Sequence, residues 1–234
     1  MAGKLALVAV AGLLGAAVLL PLGVGLSGRD LAGLSELLGG GPACGAVTGA
    51  ERQVALPLAS TGRLVIALPA TIRYKPGGQA EVRVRGAAAL VDHVRLEGDT
   101  LRLDCNQGWH GARLAVEVSG PAIADWTLLG SGKLDLPAVD QPALRLRLRG
   151  SGDIAAAGAA ERVEVEVRGS GKARLKELAA RSAEISIRGS GDAQLTAQTA
   201  ADVSIRGSGT VELFGNPTLR RADIRGSGRI RQAS

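Results

Sequence analysis

The chain has 234 residues and a formal net charge of +6 at pH 7, and aromatic side chains make up only 2% of it. So few aromatic residues nearly exclude the stacking platforms on which proteins bind sugar rings or single-stranded nucleic acid. The positive charge suits an anionic partner. The apolar segment at the start of the chain favours an anionic glycan or lipid head group over nucleic acid.

Residues 1–26 are expected to direct export to the periplasm or cell envelope. Residues 5–26 carry no charged side chain, and they follow Lys4, the only positive side chain before them. This run matches the roughly 20 residues that a membrane-spanning helix needs and exceeds the roughly 7–15 residues of a signal-peptide core. Both a retained membrane anchor and a cleaved signal peptide fit this pattern, and retention is the favoured outcome.

Residues 27–46 are predicted to form a short helix or a linker. Leu31, Leu34 and Leu37 fall on one side of a helical pattern, and three consecutive glycines at 39–41 end it. As a helix, this segment would lie at the membrane surface or pack against the first strands.

The chain contains two cysteines, Cys44 and Cys105. An even number of cysteines in an exported protein predicts a disulfide, which would close a loop of about 60 residues and stabilise the fold by about 4 kcal/mol. A metal site is the alternative, because Asp104 and His110 lie near Cys105 in the sequence. Since no second cysteine or histidine stands in register, we predict the disulfide, no metal and no cofactor.

Residues 47–124 are predicted to be β structure outside the repeat described next. Strands are expected at 62–69, 80–85, 91–104 and 112–119. A turn is expected at Gly98 and Asp99, and the loop at 106–111 contains Trp109, one of two tryptophans. We expect this half to cap the repeat, since repeat folds need end units that cover their core.

Residues 125–234 contain the triplet Gly-Ser-Gly six times, with starts 18 to 20 residues apart. Apolar and polar residues alternate on both sides of each triplet, which indicates half-buried strands. A unit of about 19 residues is too short for a βαβ unit and suits one coil of a parallel β-solenoid. The predicted fold class is therefore all-β: a parallel β-helix, preceded by the β cap and one N-terminal hydrophobic helix. The triplets are Gly130, Ser131, Gly132; Gly150, Ser151, Gly152; Gly169, Ser170, Gly171; Gly189, Ser190, Gly191; Gly207, Ser208, Gly209; and Gly226, Ser227, Gly228.

Each triplet is interpreted as a corner of the solenoid. Glycine permits the positive φ or the close backbone approach that a sharp, repeated corner needs. The serines of successive corners would lie one above another, able to bond to the backbone or to each other. A ligand-binding glycine loop is the other interpretation. It is disfavoured because no helix follows the triplets to hold a phosphate.

Two charged columns are expected beside the triplets. The residues that follow the triplets alternate in sign over the first four, as attracting neighbours about 5 Å apart should; they are Lys133, Asp153, Lys172, Asp192, Thr210 and Arg229. The residues that precede the second to sixth triplets are all arginine: Arg149, Arg168, Arg188, Arg206 and Arg225. Pairing with acids such as Asp153, Asp192, Glu166 and Asp223 is the favoured explanation. An anion-binding ladder for phosphate, sulfate or acidic sugar is the alternative.

The segment 62–69 (Gly-Arg-Leu-Val-Ile-Ala-Leu-Pro), the segment 90–103 and the repeated Gly-Ser-Gly followed by Asp or Lys resemble the GIN-domain family of bacterial adhesin heads. The resemblance covers about residues 50–232 and implies a β-helix-like fold in an exported envelope protein. The family carries no catalytic motif onto this chain. Asp follows the triplet only at Asp153 and Asp192, so an ion-binding role for that column would be patchy.

The predicted function is a non-enzymatic envelope module, either a scaffold or an adhesion-type binding protein. A polysaccharide-cleaving enzyme is one alternative, but it needs carboxylates that converge in a cleft. The outward acids are instead spread along the coils: Asp153, Glu164, Glu166, Glu184, Asp192 and Asp202. Lipid transport is the other alternative; it needs an open apolar groove, whereas leucine, isoleucine and valine fill the predicted inward positions.

Overall fold

The computed structural model describes Cys44 and residues 50–59, 62–105 and 114–233. The predicted export segment at 5–26, the predicted helix or linker at 27–46 apart from Cys44, and the loop at 106–111 lie outside the described residues. Within the described ranges, no helix combines the length and the apolar character needed to cross a membrane.

Fourteen strands of one sheet and a single-turn helix make up the described part of the chain. In chain order the elements are β1 Glu51–Pro57, β2 Arg63–Ala67, β3 Ala70–Ala87, α1 Ala88–Val91, β4 Val94–Glu97, β5 Thr100–Leu103, β6 Leu114–Gly120, β7 Asp125–Gly130, β8 Lys133–Gly150, β9 Asp153–Gly169, β10 Lys172–Gly189, β11 Asp192–Gly207, β12 Thr210–Phe214, β13 Thr218–Gly226 and β14 Arg229–Gln232. The predicted all-β class is confirmed.

The long strands β8 to β11 each begin just after one Gly-Ser-Gly triplet and end at the next. β9 pairs in parallel with β8 and with β10, and β10 pairs in parallel with β11. Register shifts interrupt these ladders part-way along, for example between Leu136 and Val139 in β8. Parallel strands stacked coil upon coil are a β-solenoid, so the predicted architecture is also confirmed.

Apolar columns fill the inside of the stack. In one of them Leu146, Val165, Ile185 and Val203 are successive register partners, and none of the four is more than 2% exposed. Burying one such side chain stabilises a fold by about 1.5–3 kcal/mol. The alternation read from the sequence therefore corresponds to real inward columns, which provide the main stabilisation of the coils.

The triplets form the corners of the coils. From the second triplet onward, the first glycine has a φ between 120° and 134°. A Cβ on Gly169 would lie 2.4 Å from the Gly150 carbonyl oxygen, and a Cβ on Gly171 would lie 2.5 Å from the Gly152 carbonyl oxygen. Ser170 N donates to the Gly150 carbonyl at 3.0 Å. The corner thus needs both glycines, one for backbone angle and space and one for space alone.

The stacking begins before the first triplet. β2 pairs in parallel with β7, where Leu64 lies opposite Trp126, and the start of β3 pairs with the start of β8. Leu68 and Pro69 connect β2 to β3 at the place where later coils carry Gly-Ser-Gly. The region 47–124, expected as the cap, therefore includes one coil, which the repeat pattern did not reveal because its corner lacks the triplet.

The rest of the cap is built around β6. β3 has two arms, residues 70–76 and residues 81–85, and β6 lies between them. β6 pairs in parallel with the first arm and antiparallel with the second. β1 pairs antiparallel with the second arm, and β4 and β5 form a hairpin with its turn at Gly98 and Asp99, as predicted. Trp126 is only 1% exposed, and its Nε1 donates to the Ile123 carbonyl at 3.0 Å.

A disulfide joins Cys44 to Cys105, with the two Cα atoms 5.1 Å apart and a sequence separation of 61. This confirms the pairing predicted from the cysteine count. Cys105 directly follows the β4–β5 hairpin, and β5 pairs with β2 of the first coil. The bridge therefore fastens residue 44 to the capped end of the stack.

Replacing Gly169 with alanine should lower the free energy of unfolding by about 3 kcal/mol, because the new Cβ meets the Gly150 carbonyl oxygen and the φ of 122° is strained. Gly98→Ala is the matched control. It also has a positive φ, 61°, but its Cβ would meet nothing within 4 Å, so it should cost about 1 kcal/mol. Chemical unfolding of both variants measures the difference. Equal losses would contradict the stacked-corner explanation.

Replacing both cysteines with serine should lower the free energy of unfolding by about 4 kcal/mol, because the disulfide restricts a long loop of the unfolded chain. Chemical unfolding of the wild type, oxidised and then reduced, should show the same loss. Reductant should not change the unfolding of the Cys44→Ser plus Cys105→Ser variant. An unchanged midpoint on reduction of the wild type would show that the bridge adds no stability.

Candidate functional site at the triplet corners

The five arginines that precede the triplets form one column on the surface, here called the arginine column. Each is the register partner of the next across β8, β9, β10, β11 and β13. All five are exposed. Neighbouring strands lie about 4.8 Å apart, so the guanidinium groups repeat at a short and regular interval. The column consists of Arg149, Arg168, Arg188, Arg206 and Arg225.

Acidic side chains pair with three members of the arginine column. Arg168 Nε donates to Glu166 Oε1 at 2.6 Å, and Arg188 Nη1 lies 3.6 Å from the same oxygen. Arg225 Nε lies 3.6 Å from Asp223 Oδ1. The favoured explanation of the column, pairing with nearby acids, thus describes these three arginines.

The two other members of the column carry unbalanced charge. Arg149 and Arg206 have no ion pair and no side-chain hydrogen bond with any described residue. Asp153 and Asp192, which the sequence offered as partners, are engaged elsewhere: Asp153 with Arg174 at 3.4 Å, and Asp192 with the backbone N–H of Thr210 at 3.2 Å. Arg149 and Arg206 therefore stay open to an anion.

A column of serines runs beside the arginines, one from each triplet. The backbone N–H groups of the second to fifth of these serines hold the corners together, as in Ser190 N to the Gly169 carbonyl at 3.0 Å and Ser208 N to the Gly189 carbonyl at 2.9 Å. All six side chains are exposed, and no hydroxyl among them bonds to another described residue. Each free hydroxyl offers one donor and two acceptor positions. The serines are Ser131, Ser151, Ser170, Ser190, Ser208 and Ser227.

The residues that follow the triplets also stack in register, from Lys133 through Asp153, Lys172 and Asp192 to Thr210 and Arg229. We call the arginine column, the serine column and this mixed column together the corner edge. The edge presents guanidinium groups and hydroxyls at the spacing of the strands. Such a surface suits a long anionic ligand that also carries hydroxyl groups.

Arginines engage most of the outward acids that a hydrolytic enzyme would need. Glu164 accepts a hydrogen bond from Arg145 Nε at 2.6 Å, which raises the pKa of Arg145. Asp202 pairs with Arg220. Together with Asp153 and Glu166, four of the six acids singled out in the sequence lie within 4 Å of an arginine.

Among the described residues of the cap, His93, Asp104 and Cys105 form one cluster of metal-type ligands, whose ligand atoms lie within 4.8 Å of one another. Cys105 Sγ is bonded to Cys44 and is therefore not a thiolate ligand. Asp104 accepts from His93 Nδ1 at 2.7 Å and pairs with Arg95 Nη2 at 2.9 Å. The cluster thus acts as a structural hydrogen-bond network beside the disulfide.

The family model described as "Putative auto-transporter adhesin, head GIN domain" matches residues 63–217, more than half of the chain. The chain belongs to the GIN-domain family. This confirms the resemblance read from the strand phrases and the triplets. The family is described by adhesion, which is binding rather than catalysis, and both the family and the disulfide indicate an exported protein.

Two solved structures share the GIN-domain fold. One, described as a putative adhesin from Bacteroides fragilis, has a TM-score of 0.61 at 18% identity, over 80% of this chain and 99% of that chain. The other, described as a putative lipid binding protein from Parabacteroides distasonis, has a TM-score of 0.50 at 20% identity, over 80% and 98%. A comparison with curated proteins found no match. At these identities the likeness shows the fold alone.

Sequence reasoning missed a second group of polar residues, on the cap of the GIN domain. Arg73, Arg83 and Arg85 line one groove of about 330 Å³. They are separated by even numbers of residues within β3, which places them on the same, outward face of the sheet. What the sequence did not reveal is that β3 passes along both sides of β6 and so brings its two arms to one surface.

Replacing Asp104 with asparagine should flatten the acid dependence of stability. The hydrogen bond from His93 is the main cause that lowers the pKa of Asp104. The stability that the ionised Asp104 contributes is therefore fully present above the pKa of an aspartate in the unfolded chain, about 3.9. It is lost as the pH falls through the lower pKa that Asp104 has in the folded protein.

Thermal unfolding measured from neutral pH into strong acid tests this, because the Tm of Asp104→Asn should fall less steeply than that of the wild type. The control is Asp140→Asn, which changes an exposed aspartate that has no ion pair among the described residues. It should follow the wild-type curve. Parallel curves for all three proteins would contradict the assignment.

Proposed function

We propose that this GIN domain is a non-catalytic binding module of the cell envelope and that its corner edge binds an acidic glycan. The free guanidinium groups of Arg149 and Arg206, held in register with a column of free serine hydroxyls, carry this proposal. An acidic polysaccharide has both chemistries that the edge complements, since carboxylates or sulfates pair with arginine and hydroxyls bond with serine.

A glycan fits the edge better than a lipid carried along the coils. The inward columns are closely filled: Leu146, Val165 and Ile185 are each at most 2% exposed, so the stack offers acyl chains no space there. Anionic lipid head groups share the charge but not the extended arrangement of hydroxyls. They remain the second ligand class to test, because one structural neighbour is described as a "putative lipid binding protein".

Localisation follows from the same proposal. A disulfide persists in oxidising compartments, and an adhesin-type head acts outside the cytoplasm. We place the domain in the periplasm or at the cell envelope, with residues 5–26 as its membrane anchor. Mass spectrometry of the mature N-terminus distinguishes a retained anchor from a cleaved signal peptide.

The binding test uses polygalacturonate, with its methyl-esterified form as the matched neutral polymer. Arg149→Gln plus Arg206→Gln should weaken binding to polygalacturonate about tenfold, since an exposed ion pair contributes up to about 1 kcal/mol and about 1.4 kcal/mol is tenfold. Added salt should weaken wild-type binding as well. Surface plasmon resonance or calorimetry measures both effects.

The control is Arg162→Gln plus Arg221→Gln, which removes two exposed arginines outside the column that also have no ion pair among the described residues. It changes the net charge equally and should leave binding within about twofold. Equal losses in both double variants, or equal binding of the esterified polymer, would overturn the proposal. Stronger binding to phosphatidylglycerol vesicles than to polygalacturonate would move the assignment to lipid head groups.

A further inference from the structure

The outer face of the cap carries a groove of about 330 Å³, at the small end of the range for ligand pockets, about 300–1,000 Å³. It lies on β1, β3 and β6 of the cap and shares no residue with the corner edge, although its Thr71 is the register partner of Lys133 beside the first triplet. The polar residues that line it are Gln53, Thr71, Arg73, Arg83, Arg85 and Glu117.

The pairing of β1, β3 and β6 creates the groove. Across one row of the sheet Thr71 pairs with Ala115, Ala115 with Arg85, and Arg85 with Gln53. Ala115 is exposed and small, so a hollow remains between the longer side chains on its two sides. The next row brings Glu117 between two arginines, one from each arm of β3. The hollow thus has an apolar floor and charged walls.

The arginine charges in the groove are balanced unequally. Arg83 pairs with Glu81 at 2.5 Å, and Arg73 lies 3.8 Å from Asp135. Arg85 instead donates from Nη2 to the amide oxygen of Gln53 at 2.8 Å, and no carboxylate among the described residues pairs with it. Its partner is therefore neutral, and Arg85 keeps a full uncompensated charge at the groove.

Glu117 is the acceptor of the groove. Its Oε2 lies 2.7 Å from Lys75 Nζ, and this hydrogen bond is the main cause that lowers the pKa of Glu117. The carboxylate is therefore ionised at neutral pH. It repels a densely charged anion such as a phosphate dianion, but it accepts hydrogen bonds from hydroxyl groups.

We propose that this groove binds a single acidic sugar unit, with the sugar carboxylate on Arg85 and its hydroxyls on Glu117, Gln53 and Thr71. A uronic acid combines one negative charge with several hydroxyls, and the groove combines one unbalanced cation with a carboxylate, an amide and a hydroxyl. The small floor at Ala115 gives the ring space. This site uses other residues than the corner edge and does not depend on it.

The test is binding of free sodium galacturonate to the full chain, measured by calorimetry or by NMR shifts, with neutral galactose as the comparison. The wild type should bind galacturonate at least tenfold more tightly than galactose. Arg85→Gln should reduce galacturonate binding about tenfold or more, whereas Arg162→Gln, an exposed arginine outside the groove, should change it less than twofold.

Ala115→Leu provides a second test that keeps every charge. The larger side chain fills the hollow at an exposed strand position, so it should abolish galacturonate binding while the melting temperature stays near that of the wild type. Equal affinity for galacturonate and galactose, or unchanged binding in both Arg85→Gln and Ala115→Leu, would overturn the proposal. The Arg149→Gln plus Arg206→Gln variant should keep galacturonate binding, which separates this site from the corner edge.

Discussion

The solenoid depends on one repeated contact, in which the backbone of each Gly-Ser-Gly corner lies directly on the backbone of the corner before it. At Gly207 a Cβ would be only 2.1 Å from the Gly189 carbonyl oxygen, so the contact leaves no space for a side chain. Ser208 N donates to the same carbonyl at 2.9 Å. Because both the hydrogen bond and the close approach require one alignment, the corner sets the register of the strands on both sides of it.

This register determines the surface as strictly as the core. A one-residue slip that separated neighbouring arginines would also move the apolar columns out of the interior, so the like charges stay stacked. Relief comes from acids two positions earlier in the strands: Glu166 serves both Arg168 and Arg188. The register partner of Glu166 on β8 is not an acid but Arg147, which itself pairs with Asp125 at 2.8 Å. The unbalanced guanidinium groups lie where the chain places no such acid.

The coils could be predicted from the sequence because each strand meets an equivalent strand about 19 residues away. The columns of Leu146 and of Arg149 follow from that period alone. The cap has no period, and β6 pairs with segments of β3 that lie 30 to 44 residues away, so nothing local marks the convergence of Arg73 and Arg85. The coil that turns at Pro69 was missed for the same reason, since its corner lacks the triplet.

The corner edge and the cap groove differ in how affinity builds up. Arg149 and Arg206 are three strand steps apart, about 14 Å at about 4.8 Å per step. A polymer held by one of them finds the other at a high effective concentration, so weak ion pairs add to one another. The hydrogen-bonded corners hold the backbone spacing, so only side chains need to be ordered on binding. The groove, which has space for one sugar unit, gains nothing from ligand length. We therefore expect affinity to rise with polymer length through the arginine column and not through the groove.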